Sequence, residues 1–281
     1  MPDATAIRPG EPLPPYRVTA YNSATESENK IHDNEVARQY GFAGGLVPGV
    51  TVFAYMVPPV VNGFGEGWLT GGRMSARFVK PIYEGEQVEV RAVPQEDEEG
   101  LQLALEALNP AGEACATGAA SRLSDDAVAP SAMMFSTAEL PAEREPVSED
   151  ALRRREVLGT LHSTATRESM DEFLRETRDE DPRWQGANAP VHPGYLIRWA
   201  NTILASNVKL NPWIHVSSDV ALYDALRVGE AFETRGRVTE LFERKGHRFV
   251  RLDVAMSAGD GRMVMRVDHT AIYDIRKVEG A

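Results

Sequence analysis

Two stretches of the chain, Gly49–Val61 and Gly194–Val208, are apolar on nearly all sides, and each is opened by Pro-Gly. Proline near a first helical turn costs little, because the N–H it lacks has no helical partner there. Apolarity around the whole circumference predicts helices buried on every face. Period-two alternation in QVEVRAV (87–93), FVRLDVAM (249–256) and MVMRVDHTAIY (263–273) predicts strands. Turn residues Asn109, Pro110 and Gly112, and later Gly259 and Gly261, predict that each set of strands closes in a hairpin.

The same landmarks recur in the same order. Ala24-Thr25 answers Ala165-Thr166 at an offset of 141, Pro48 answers Pro193 at 145, and Gly85 answers Gly229 at 144. A repeat of this size describes one structural unit made twice. Between the copies, Ser124–Asp150 is rich in Ala, Ser and acidic residues and holds Pro130, Pro141 and Pro146, so it reads as a linker. The expected organisation is a flexible arm over 1–15, a first unit over 16–123, the linker over 124–150 and a second unit over 151–281. A buried helix wrapped by a curved antiparallel sheet, made twice, satisfies both copies and gives an α+β class.

Charge and cysteine usage narrow the function classes. With 30 Lys+Arg against 42 Asp+Glu the chain carries −12 at pH 7, which disfavours nucleic acid as a partner. Cys115 is the single cysteine, so one chain forms neither a disulfide nor a multi-thiolate metal site. No apolar run is long enough to span a bilayer, and the start lacks a signal-peptide core, so a cytoplasmic location without membrane attachment is expected. His162, His192, His215, His247 and His269 lack metal-ligand spacing, and AGGLVPG lacks the order of a nucleotide-binding loop. Trp184 and Trp199 read as core.

The stretch SENKIHDNEVARQYGFAGGLVPG, Ser27–Gly49, resembles the signature of the MaoC-like dehydratases, the R-specific enoyl-CoA hydratase family. Asn29 and His32 match that motif's Asn and catalytic His. Ala37, Gly41-Phe42 and Gly49 match its downstream Ala, Gly-Phe and helix-opening Gly. The departures are as informative: the family's catalytic Asp falls on Ser27, its Gly on Glu26, its Pro on Lys30, and the His before the helix Gly on Pro48. The resemblance implies a double hotdog, a sheet around one long helix in two copies. Under the offset of 141, His32 aligns with Phe173 and Asn29 with Met170, so one site per chain is expected, with the second copy helping to form an acyl tunnel around His192-Pro193-Gly194-Tyr195.

The implied reaction is hydration of a 2-enoyl thioester, or the reverse dehydration of a 3-hydroxyacyl thioester, on coenzyme A or a carrier protein. It needs a base for water, an acid for the α-carbon and donors for the enolate-like oxygen. His32 is the expected acid/base, Asn29 its orienting partner, and the N–H of Gly49 the donor at a helix N-terminus, next to Val47 and Pro48. Ser27 is too weakly basic to replace a carboxylate. It reads instead as the N-cap of a helix running to Gln39. Glu28 is the favoured substitute carboxylate over Glu26, although it also reads as a solvated helix-start charge. Arg73, Arg77 and Lys80 are candidates for the coenzyme phosphates, and Tyr195 for the tunnel wall. No metal and no cofactor beyond the substrate's own coenzyme A are expected, and the assembly is expected to be a monomeric pseudo-dimer or a homodimer. Two alternatives stand beside the hydro-lyase: a hotdog that binds an acyl thioester or other hydrophobic ligand without turnover, alone or as partner of an active homologue, and a thioesterase. The thioesterase is disfavoured because neither central helix carries a carboxylate.

Overall fold

The computed structural model describes residues 7–97, 100–124 and 126–276. The first half supplies β1 (Tyr16–Thr19), β2 (Gly72–Phe78), β3 (Gln87–Asp97), β4 (Gly100–Leu108) and β5 (Ala114–Arg122), with helices α1 (Asn34–Gln39) and α2 (Gly49–Phe64). The second supplies β6 (Glu145–Pro146), β7 (Leu161–Thr164), β8 (Val208–Lys209), β9 (Ile214–Leu222), β10 (Ala231–Arg244), β11 (His247–Ala258) and β12 (Met263–Asp274), with α3 (Glu149–Arg154), α4 (Arg167–Thr177) and α5 (Pro193–Asn207). Ten strands form one antiparallel sheet in the order β1-β3-β4-β5-β2-β9-β12-β11-β10-β7. The order is a mirror about β2 and β9, which pair from Gly72 opposite Leu222 to Arg77 opposite Ser217. The sequence repeat is therefore a pseudo-twofold in which each half contributes five strands to one continuous surface.

The two apolar helices fill that surface. Phe53, Met56, Val57 and Val60 of α2 are fully enclosed, and each such side chain contributes on the order of 1.5–3 kcal/mol relative to exposure. Helix α2 rests on β3 and β4, α5 on β10 and β12, and the helices touch each other. Their crossing explains Gly194: a methyl group there would lie 2.6 Å from the Ala54 Cβ. The Pro-Gly dipeptide thus serves both helix initiation and close helix approach.

Two boundary expectations need correction. The described part of the N-terminal arm is docked rather than free, since Gly10 and Leu13 N–H donate to the carbonyls of Pro94 and Ala92, and Ile7 and Leu13 pack on the core. Residues 1–6 lie outside the described residues. The linker also lies against the second half: Ala132 packs with Ala255 and Met263, β6 pairs in parallel with β8, and α3 begins before Asp150. Its prolines exclude long elements but not apolar contacts, which is why composition alone exaggerated its independence. Among the described residues no helix is long and apolar enough to cross a membrane.

Candidate active site

His32 is set by a short local framework. The segment Lys30–His32 is a 3-10 turn capped by the Asn29 side chain, and Asp33 caps α1 through the N–H groups of Glu35 and Val36. This corrects the expected single helix capped by Ser27, whose hydroxyl instead donates to the Asn29 carbonyl at 3.3 Å. The returning chain must then pass directly beside His32. Gly45 permits it, since a Cβ there would lie 2.0 Å from the His32 carbonyl oxygen. Leu46 follows, and its carbonyl lies 2.7 Å from His32 Nδ1.

A carbonyl oxygen only accepts, so Nδ1 carries the ring proton and Nε2 holds the lone pair. Removal from water pushes the His32 pKa below its ordinary value, outweighing the upward effect of the Leu46 bond. The ring is therefore a neutral base at pH 7. The Asn29 amide nitrogen lies 3.2 Å from Nε2, and the same amide pairs with both backbone groups of Trp213, donating to its carbonyl at 3.0 Å and accepting from its N–H at 3.1 Å. Asn29 thus fixes the ring and ties the first half's site loop to the second half just ahead of β9.

Beyond the imidazole lies a pocket of about 260 Å3 with apolar walls including Phe42, Val52, Phe78 and Trp213. His32, Asn29, Val47, Pro48 and Gly49 border it, as does Lys80, whose ammonium pairs with Glu113 at 2.7 Å. Gly49 opens α2 without a side-chain cap. Among the described residues neither its N–H nor that of Val50 meets an acceptor, whereas Thr51 and Val52 already donate to the Pro48 carbonyl. Unpaired donors at the positive end of a buried helix suit a developing oxyanion.

The second half closes the equivalent position. His192 occupies the place that Val47 holds in the first half, and its Nδ1 accepts the Gly194 N–H at 2.8 Å. Its ring is wholly buried between Phe173 and Trp184, with Nε2 3.4 Å from the Asp179 carboxylate. An Asp–His pair does exist in this chain, but its imidazole is wholly buried, and Asp179 borders a separate charged depression on the surface of the second half.

Several expected site residues fall elsewhere. Glu28 is not among the residues lining the pocket and forms a bidentate pair with Arg144 at 2.8 and 2.9 Å, which holds its carboxyl below the usual range. It is not the substitute carboxylate. Arg73 and Arg77 point outward from β2, opposite the inward Met74 and Ala76, and Arg73 borders a separate charged groove with Arg237 and Asp253. Tyr195 bonds the Ser169 hydroxyl at 3.0 Å and meets Phe173 edge-on, away from the pocket. Conversely, His215 of β9 borders the pocket although its spacing from the other histidines gives no sign of a site. So does Asn201 of α5, whose buried Oδ1 lacks a partner. No group of three or more His, Cys, Asp or Glu side chains among the described residues is arranged to hold a metal ion.

No family model matches the sequence, and no curated protein matches it closely enough to count. Solved structures do resemble it across nearly the whole chain. A putative MaoC domain protein dehydratase from Chloroflexus aurantiacus aligns with a TM-score of 0.63 at 13% identity, covering 96% of each chain. A conserved protein of Mycobacterium tuberculosis described as a double hotdog aligns at 0.60 and 13% identity, covering 95% of this chain and 96% of that one. The fold is a double hotdog. A putative thioesterase from Novosphingobium aromaticivorans shares it at a TM-score of 0.53 and 9% identity, covering 92% of this chain and 95% of that one. Double hotdogs thus carry different names, and any function of this one has to be argued from its own site. That site lies where the first hotdog's helix N-terminus meets the second hotdog's β9.

Proposed function

We propose that the protein is a hydro-lyase that adds water to a 2-enoyl thioester, or removes it from a 3-hydroxyacyl thioester, with coenzyme A as the carrier. The observation that carries this reading is the neutral His32 ring bordering the same apolar pocket as the uncapped N–H groups at the start of α2. In the hydration direction, Nε2 exchanges the Asn29 N–H for the water and takes its proton as the water oxygen bonds to C3. The C2=C3 π pair moves toward the thioester, whose oxygen takes up the charge opposite Gly49. The imidazolium then returns its proton to C2, so that one water is added and His32 ends neutral. Lys80, at the rim, is the cation placed to meet a coenzyme phosphate; its exposed pair with Glu113 is weak enough to exchange. No step draws on a metal or a further cofactor.

One observation favours a second reading, in which the thioester binds without turnover: among the described residues the His32 ring is bonded by Asn29 and the Leu46 carbonyl and by no carboxylate. Absorbance of the conjugated thioester decides between them. Wild type is expected to bleach both crotonyl-CoA and a longer 2-enoyl-CoA, and Glu28→Gln to do so within about twofold of wild type, since its exposed pair contributes little. Binding of both thioesters without any loss of absorbance at high enzyme concentration establishes the second reading instead.

A further inference from the structure

The sharpest unexplained feature of the pocket is His215. Its ring is 5% exposed, and its Nδ1 is buried without a hydrogen-bond partner. Leaving such a nitrogen unpaired is costly. The ring nevertheless is held firmly: Nε2 lies 2.8 Å from the Ser218 hydroxyl, and the same hydroxyl lies 2.9 Å from Nδ1 of His269. A bulge at Val216, where Ser217 and His215 face consecutive residues of β12, lets His215 and Ser218 both point inward although they are three apart. Ser218 then lies directly opposite His269. The effect of this construction is to press the free Nδ1 edge against the start of α2, where a methyl group on Gly49 would lie 2.9 Å from it.

We propose that His215 is the second donor to the thioester oxygen, so that Gly49 N–H from the first hotdog and Nδ1–H from the second converge on one atom. The proposal rests on the hydro-lyase reading above and adds a catalytic residue to it. A hydroxyl both donates and accepts, and it rotates. Ser218 can therefore donate to Nε2 while accepting from His269 Nδ1–H, which leaves the His215 proton on Nδ1. A negative oxygen beside Gly49 selects that tautomer over its alternative. Burial, and then the neighbouring His269, keep His215 neutral, which makes it a fixed hydrogen-bond donor rather than a competing cation. Catalysis by such a donor is differential: the bond strengthens as charge moves onto the thioester oxygen, so its loss falls on kcat more than on KM. The proposal also gives a physical reason for glycine at position 49 that helix initiation alone does not supply, since any side chain there would displace the ring.

The test compares His215→Leu, which has no donor, with His215→Asn, whose amide falls near the Nδ1 position, and with Ser218→Ala, which keeps the ring and removes its anchor. Two measurements are made on each: hydration of crotonyl-CoA, and the infrared carbonyl stretch of bound hexanoyl-CoA carrying 13C at the thioester carbonyl. His215→Leu is expected to lower kcat by about 100-fold, with KM changed less than about threefold, and to move the carbonyl stretch back toward its value in water. His215→Asn is expected to recover about tenfold of the lost kcat, and Ser218→Ala to lose about tenfold because the tautomer is no longer held. A His215→Leu protein that hydrates within threefold of wild type overturns the role of His215 and leaves the hydro-lyase reading in place. If wild type binds hexanoyl-CoA and does not hydrate crotonyl-CoA, the hydro-lyase reading fails, and the carbonyl shift alone decides for or against His215. A wild-type protein that binds neither thioester removes both. Should His215→Leu not fold, Ser218→Ala with an unshifted carbonyl and unchanged kcat also overturns the proposal.

Discussion

Replacing His32 by Ala is expected to lower kcat/KM for crotonyl-CoA by about 1000-fold, with folding retained. The size follows from the absence of a deputy. Glu28 is held by Arg144, Ser27 bonds the Asn29 carbonyl, and the Asn29 amide cannot accept a proton at neutral pH. The pH profile carries a second signature of the same residue. Its folded pKa is pushed below the ordinary histidine value by burial, so the neutral base persists as pH falls through 6.5. The acid limb of kcat/KM is therefore expected below pH 6.5 in wild type and absent from the residual activity of His32→Ala. An acid limb above pH 6.5 would mean that a different group, or a charged His32, is the working form.

Acidification is expected to weaken the fold through the second hotdog's buried imidazoles. His269 is wholly buried and its pKa is pushed down to about 3, while His215 beside it is also lowered, first by burial and then by His269. In the unfolded chain both rings take up protons near pH 6.5. Below that pH the unfolded state binds more protons than the folded one, so stability that is complete above pH 6.5 is lost as pH falls toward the folded values. For His269 alone the loss is about 1.4 kcal/mol per pH unit, or about 2 kcal/mol by pH 5. Urea unfolding at pH 7.5 and 5.0 measures it, with His269→Asn as the reference that lacks the titrating ring. Wild type is expected to lose about 2 kcal/mol more than the variant over that interval. Equal losses in the two proteins would show that His269 is charged or hydrated in the folded state.

What the sequence disclosed and what it withheld follow from how local each signal is. Both central helices were legible because apolarity around the full circumference needs no partner to be recognised, and they occupy Gly49–Phe64 and Pro193–Asn207. The repeat was legible because each half folds around its own helix, so order and spacing survive where identity does not. His32, Asn29 and Gly49 were legible as one motif because they lie within 21 consecutive residues of the first hotdog. The arginines were misplaced because side chains alternate along a strand: the residues flanking Arg73 and Arg77 point into the core, so the arginines themselves must point out.

His215 stayed hidden for the opposite reason. It reaches the pocket through the β2–β9 seam and a bulge, neither of which local periodicity contains. A signal was nevertheless available in the two strands themselves. In IHVSSDVAL and MVMRVDHTAIY the buried positions are mostly Val, Leu, Ala and Met, and an imidazole in such company requires a partner or a purpose. The same reasoning separates His192, which caps Gly194 and faces Asp179, from His215, which borders the pocket and whose buried Nδ1 has neither a hydrogen-bond partner nor a facing carboxylate among the described residues. The two hotdogs differ in how each treats the glycine near its helix start: the second caps Gly194 with His192, and the first leaves Gly49 uncapped beside the pocket.

The central claim is that a single neutral base, His32, handles both protons of the reaction from one face of the substrate. Its most direct test is the hydration of crotonyl-CoA in D2O, with the configuration at C2 and C3 of the 3-hydroxybutyryl product read by NMR. One base on one face predicts a single deuterium at C2, added on the same side as the hydroxyl at C3. Addition to opposite faces, or no product at all, would contradict the account.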